Sequence, residues 1–339
     1  MKAKRWLLSG LAGCISLLSG CGGAAMSNEK EMTKFEWYAV ATAPRDYPME
    51  VINGTFYYKG EDSGLWIPSG GTIHQGWGKS FSVYVVGPDL KPLPDRVEVK
   101  FYSYAENQFY HGDFTLPYDK IFHMFQQRRR DTPDEPYSSI LLGIAPGGAV
   151  SVWLDGSRTD EVFFGQAEKI EMTPSQAFKL PFSSKEQSDH YVESALAESV
   201  TPEQLAYIKE RGAPIGTWAR FRNRYKWAPV YADEKTPPKL EMAANFLNGE
   251  RWWIPTQFDE TLANSPKVLP KQVKFRAGPT NLFYDINFEP FELMEAFEKL
   301  GASGEKVYIE FDPQVPVERM KIRVYNEKES IELKKVHIE

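Results

Sequence analysis

Cysteine is nearly absent from this chain. Of 339 residues only Cys14 and Cys21 are cysteine. The body of the chain therefore has neither a disulfide framework nor a thiolate zinc site available to it. Acid is missing from the N-terminus until Glu29, whereas Lys2, Lys4 and Arg5 are cationic. Beyond the N-terminal run Trp6 to Leu18, no segment approaches the ~20 apolar residues that span a bilayer as a helix. Histidine is scarce: His74, His111, His123, His190 and His337 include no pair at the i, i+4 spacing of a helical metal site. There is no G-x-S-x-G elbow, phosphate-cradling loop or marked carboxylate pair. The expectation is a chain with no catalytic residues, no cofactor and no metal, hence not an enzyme.

A positive start, a short apolar middle and small residues before position 21 make residues 1–20 a secretory signal peptide. Leu18-Ser19-Gly20-Cys21 resembles the lipobox of bacterial lipoproteins. That resemblance implies cleavage before Cys21, diacylglycerol on its sulfur and a further acyl chain, palmitate, on its amine. Leu11-Ala12-Gly13-Cys14 also fits the pattern, but its apolar run is only about seven residues, the lower limit for such a region. Cys21 is preferred as the lipidation site and the membrane attachment. Gly22 follows it, and by resemblance to enterobacterial lipoproteins the lack of aspartate there implies the outer membrane, with the body facing the periplasm. Residues 21–34, small and polar, read as a flexible tether. Loss of the three leader cations takes the formal charge from −6 to −9, which argues against nucleic acid as a partner.

Aromatics make up 14% of the chain, and 25 glycines and 24 prolines punctuate it, a composition of many short strands. The strands recur. Pro48, Glu50, Asn53 and Trp66-Ile67-Pro68 have counterparts in Pro238, Glu241, Asn245 and Trp253-Ile254-Pro255. Leu93-Pro94 with "RVEVKF" matches Leu269-Pro270 with "KQVKF", and Asn107, Phe109, Tyr110 and Phe114 match Asn281, Phe283, Tyr284 and Phe288 at one constant offset. Pro117 and Pro290 are expected at the first position of a helix in each copy. Ile121, Met124 and Phe125, and Leu293, Met294 and Phe297, follow at helical spacing. "SFSVYVVG" (Ser80 to Gly87) is an extra strand of the first copy, and Pro146-Gly147-Gly148 a hairpin turn.

The expected fold is α+β, with two tandem related domains, 35–171 and 215–339. Each is a mainly antiparallel β-sheet or small sandwich with one inserted helix. A helical connector, 172–214, joins them. In the connector, Thr201-Pro202-Glu203-Gln204 is a capping-box sequence, Gly212 a stop, and Ser184 to Ala197 a further helix.

Partner-binding candidates come from three stretches. "WARFRNRYKW" places Arg220, Arg222, Arg224 and Lys226 at alternate positions, a cationic row if the stretch is a strand. Acids on neighbouring strands, such as Glu332, would neutralise such a row, or an acidic partner or anionic headgroups would dock on it. "QQRRRDTPDEPY" ends a helix with Arg128, Arg129 and Arg130 and continues in a loop absent from the second copy. "PSGGTIHQGWGKS" displays Trp77, of an anchor type common at interfaces, though tryptophan is more often simply packed.

"GLWIPSGGTIHQGWG", "LPDRVEVKFYSYAENQFYHGDFTLP" and "GIAPGGAVSVWLDG" resemble a family of Gram-negative lipoproteins known as a domain of unknown function. Its members often look like neighbours of type VI secretion effectors, notably phospholipase-like toxins. The resemblance implies an immunity role, in which a lipid-anchored protein captures a membrane-targeting effector. It carries no catalytic residues to transfer. A structural or assembly lipoprotein that binds another envelope component is the second reading, and a hydrolase the third.

Overall fold

The computed structural model describes residues 33–80, 86–232, 242–255, 260–277, 281–302, 304–312 and 319–339. The leader, Cys14, Cys21, most of the tether, the core of the Ser80–Gly87 strand expectation, and Pro238 and Glu241 lie outside these residues. Thr33–Glu339 form one compact unit.

The first copy contributes β1 (Lys34–Glu36), β2 (Tyr38–Thr42), β3 (Met49–Tyr58), β4 (Gly64–Trp66), β5 (Leu90–Pro92), β6 (Pro94–Ser103), β7 (Gln108–Thr115), α1 (Tyr118–Asp131), β8 (Ser139–Ala145), β9 (Ala149–Asp155), β10 (Thr159–Gln166) and β11 (Glu168–Ile170). The connector holds α2 (Pro174–Phe178), α3 (Lys185–Ser199), α4 (Pro202–Arg211) and α5 (Thr217–Arg220). The second copy runs through β12 (Arg224–Tyr231), β13 (Met242–Phe246), β14 (Arg251–Ile254), α6 (Glu260–Asn264), β15 (Pro266–Val268), β16 (Pro270–Ala277), β17 (Leu282–Phe288), α7 (Pro290–Leu300), β18 (Val307–Asp312), β19 (Lys321–Tyr325), β20 (Ser330–Glu332) and β21 (Val336–Ile338). The α+β class stands.

The duplication is a duplication of topology. In the first copy β11–β7–β6–β3–β4 form one sheet; in the second the order β21–β17–β16–β13–β14 repeats it. Of the remaining strands, β2–β8–β9–β10 and β12–β18–β19–β20 follow one order, the first pair of each parallel, while β1 pairs with β5 and β15 with β12. One ladder then merges the copies. Thr159 of β10 lies opposite Arg251 of β14, so four strands of the first copy and five of the second make a single nine-stranded sheet.

Each copy closes on its own core by the alternation of its strands. In the first, Val97, Val99 and Phe101 of β6 face Ile140, Leu142, Val150 and Val152, with Ile121 and Phe125 of α1 alongside. In the second, Val273 and Phe275 face Ile309, Phe311, Ile322 and Val324, with Leu293, Met294 and Phe297 of α7. Asn107 and Asn281 turn the matching β6–β7 and β16–β17 hairpins with positive φ of 50° and 54°, a conformation asparagine tolerates. Pro290 is the first residue of α7, capped by the Glu289 carboxylate, whereas Pro117 sits one position earlier, at the cap of α1. Thr201 caps α4 by accepting from the Gln204 amide at 3.2 Å, while the Gln204 side chain reaches Asp46 O instead of closing the box.

A further match was not apparent from sequence. Trp37, between β1 and β2, and Trp227 of β12 are 0% and 1% exposed. Each indole N–H donates to a carbonyl at 3.1 Å, that of Pro92 and that of Val268. Over each ring lies the ammonium group of a buried lysine, Lys91 at 5.7 Å and Lys267 at 5.6 Å from the centroid. The strand containing Trp227 is therefore the counterpart of β1–β2.

This match corrects the strand reading of "WARFRNRYKW". The stretch begins as helix α5, turns at Phe221–Asn223, and becomes strand only at Arg224. Trp218 must turn inward, where it is 3% exposed and packs edge-on to Tyr47, so a continuous strand with alternating cations does not form. The pairing also shifts one match. Asn245 lies opposite Gln272 as Thr55 lies opposite Glu98, so Thr55, not Asn53, is its counterpart. The Gln126–Tyr137 insertion mostly lengthens a helix: α1 has 14 residues and α7 has 11.

Candidate functional site

Where the copies meet, Glu161 and Asp155 of the first copy and Glu250 of the second face arginines from the second copy and its approach. Glu161 of β10 accepts from Arg222 Nε at 2.8 Å, from Ser151 Oγ at 2.5 Å and from Asn248 Nδ2 at 3.3 Å. Glu250 lies 3.6 Å from Arg224 and accepts from the Glu161 amide at 3.3 Å. Asp155 accepts from Thr159 at 2.6 Å and from Arg251 at 3.2 Å. Burial raises the Glu250 and Asp155 carboxyls above their ordinary range, with the arginines pulling the other way. Above this layer Trp153 donates to Asn248 O at 3.1 Å, and Trp77 stands perpendicular to Trp153 at 4.8 Å.

The glycine-rich loop explains its own composition here. Gly78 and Gly249 both have positive φ, and a Cβ on Gly78 would lie 2.3 Å from Gly249 O. Only glycine permits this backbone-to-backbone approach. Trp77 is thus packed between Trp153 and Trp218 at the seam.

The cations picked out by sequence disperse. Arg220 pairs with Glu298 at 3.0 Å, Arg222 with Glu161 and Arg224 with Glu250, while Lys226 is exposed on β12. The neutralising acids come from helix α7, the seam and a hairpin, and Glu332 is not among them. Arg128 donates to Glu135 O at 2.9 Å and covers the Tyr137 ring, Arg130 pairs with Asp131 at 2.8 Å, and Arg129 is exposed. These three occupy the last turn of α1, as its dipole favours.

Among the described residues, no group of three or more His, Cys, Asp or Glu is placed to hold a metal ion. His111 contacts Glu98 at 3.1 Å, and Arg96 holds Asp113 at 2.6 Å, all on the outer face of the first sheet. A hollow of about 150 Å³ beside Arg128 and Arg158, and an open one of about 360 Å³ between Arg323 and Lys328, are lined mainly by polar and charged groups.

The outer sheet faces of the two copies differ more than any pocket does. On the first, Tyr102 and Phe109 lie under Phe178 of α2 at 5.3 and 6.0 Å, with Val192 and Leu196 of α3 in the same cluster. On the second, Arg276 stands where Tyr102 does and lies 5.4 Å over the ring of Phe283, the counterpart of Phe109. Phe283 is 45% exposed against 7% for Phe109, whereas Trp253 at 55% and its counterpart Trp66 at 44% are both exposed. Lys274 pairs with Asp285 at 2.7 Å between Phe283 and Trp253. Trp253 and Phe283 are markers of the repeat in the sequence. The available signal was their parity, which puts both on the side opposite Ile254 and Tyr284.

Residues 24–216 match the family described as protein of unknown function (DUF2931), and the chain belongs to that family. The matched residues cover the first copy and helices α2, α3 and α4 and end before α5. No curated protein and no solved structure matches the chain.

Proposed function

We propose that the chain is a lipid-anchored protein of the cell envelope that works by binding: an immunity lipoprotein, held by Cys21 at the outer membrane and facing the periplasm, that neutralises a membrane-targeting effector of type VI secretion. The observation that carries the anchoring is Leu18-Ser19-Gly20-Cys21 at the end of a cationic, then apolar, leader. The resemblance of the first copy to lipoproteins found beside such effectors supports the target. A tether at the bilayer raises the inhibitor's effective concentration where a phospholipid-attacking enzyme must arrive. Two acyl chains hold such a protein firmly, where one binds marginally. The end of α1, with Arg129 and Arg130 at the surface and a turn that α7 lacks, is the place assigned to effector contact.

The test is survival. Cells lacking this gene are challenged with a competitor that delivers the phospholipase-like effector encoded beside it. Wild-type protein restores survival; Cys21→Ala restores it poorly, and Arg129→Ala with Arg130→Ala weakens effector binding. Full sensitivity despite wild-type protein, or envelope defects without any effector, counts against the immunity reading and favours a structural role.

A further inference from the structure

Beside the open sheet face, three segments meet: the Gly76 N–H donates to Ala43 O at 2.9 Å, Gly78 packs on Gly249 of the β13–β14 hairpin, and the Leu247 N–H of that hairpin donates to Leu269 O at 3.0 Å. Each segment brings one cation. Arg45 comes from the turn after β2, Lys79 from the end of the glycine-rich loop, and Lys271 from the start of β16. All three are exposed, and none makes an ion pair among the described residues. Partial burial, and then the repulsion of Arg45, Lys274 and Arg251, acts on Lys79 against the attraction of Asp285; burial, and then Lys79 and Arg45, acts on Lys271. Only Asp46 stands against Lys271, because Lys274 already holds Asp285 and Arg251 holds Asp155. The excess is positive on a molecule whose formal charge is −6. On the same side of the sheet, Trp253 and Phe283 expose their rings. Cations beside exposed aromatic rings are the chemistry of a membrane–water interface.

We propose that this face docks on anionic phospholipid headgroups, with Arg45, Lys79 and Lys271 on the phosphates and Trp253 and Phe283 at headgroup depth. The net negative charge of the chain as a whole then favours presenting this face to an anionic bilayer. Magnitude favours a bilayer as occupant. Each cation near such a surface strengthens association roughly fivefold, so three are too weak to recruit a free protein firmly. They suffice for a body already held by a short tether: the residues from Cys21 to Thr33 reach at most about 40 Å. The orienting role rests on the anchoring proposed above, but the docking itself is testable without Cys21.

Every described sheet and both cores close within Thr33–Glu339, so this unit folds on its own and is the protein to use. It is floated with phosphatidylcholine vesicles and with vesicles containing about one-third phosphatidylglycerol, at about 50 mM salt. The expected result is at least tenfold preference for the anionic vesicles, abolished at about 0.5 M salt. Lys79→Glu with Lys271→Glu lowers association at least about twentyfold, Trp253→Ala lowers it less, and Lys169→Glu, exposed on β11, leaves it unchanged. Unaltered circular dichroism of each variant ties a loss to the face. Equal association with both vesicles, or binding of inorganic phosphate or polyglutamate without vesicle preference, overturns the proposal. Lipidation of Cys21 is read separately, from the mass of the mature N-terminus, so one reading can fail while the other stands.

Discussion

In the first copy Phe109 stands on β7 under the connector helices and is 7% exposed; in the second, Phe283 stands at the same place on β17 and is 45% exposed. The strands beneath are alike, down to the asparagine that turns each hairpin. What differs is the cover. The helices of the connector bring Phe178, Val192 and Leu196 onto the first face, and the aromatic Tyr102 meets them. On the second face the corresponding residue is Arg276, which shields one side of Phe283 and stays compatible with water. A duplicated scaffold has thus used the β6–β7 end of one outer face for internal packing and left its equivalent at β16–β17 open, while Trp66 and Trp253 are exposed in both copies. Cores are constrained by volume in both copies, whereas an outer face is free to diverge once something covers one of them.

The largest effect should come from what the copies share. Trp37→Ala and Trp227→Ala each remove a buried, hydrogen-bonded indole and should cost about 3–5 kcal/mol by denaturant unfolding. Equal costs sharpen the equivalence; a silent Trp227 breaks it. Next is the seam. Glu161 carries a buried carboxylate, and Arg222→Ala should cost about 2–3 kcal/mol, less than a fully buried pair because the guanidinium is partly exposed. The seam should also respond to pH. Asp155 and Glu250 keep their protons to higher pH in the folded chain than in the unfolded one, so their contribution falls as pH rises through the window just above the ordinary carboxylate range. Unfolding free energies of wild type and Glu250→Gln across pH 4–7 should diverge there, about where unfolded carboxyls ionise.

The buried lysines give a smaller, opposite signature. Burial, and then Lys306, pushes Lys267 down to about 8. Above that pH the unfolded chain holds a proton that the folded chain has released, so stability rises from about pH 8 to about pH 10, by at most about 3 kcal/mol. Lys267→Met should flatten that rise. Lys91 is shifted in the same direction by burial, but Glu36 and Asp89 oppose the shift, so Lys91→Met should flatten it less. The smallest effect on stability is expected at the open face: Trp253→Ala should lie within about 0.5 kcal/mol of wild type, as for other exposed sites.

The repeats were legible because their signals are local. Asn107 and Asn281, Pro290, Thr201 and Gly212 each set a turn or a cap within a few residues, and the alternation of "RVEVKF" and "KQVKF" fixes which side faces the core. The seam was not legible, because Glu161 and Arg222 are far apart in sequence and either alone reads as a surface charge. Even spacing of arginines in "WARFRNRYKW" suggested a strand; the need to bury Trp218 beside Tyr47 and Trp77 overrode it. The β1–β2 counterpart in β12 was hidden by the brevity of its pattern, one tryptophan flanked by cations. Arg45, Lys79 and Lys271 come from three separate segments, and only the joining of the copies gathers them.

The scarcity of cysteine offers the most direct test of the contrast between the two faces. In residues 33–339, which contain no native thiol, a single Phe109→Cys or Phe283→Cys can be labelled with a thiol reagent and its rate followed. Phe283→Cys should react near the rate of a free thiol and be slowed by anionic vesicles, while Phe109→Cys should react far more slowly and be indifferent to them. Equal rates at the two positions would contradict the account.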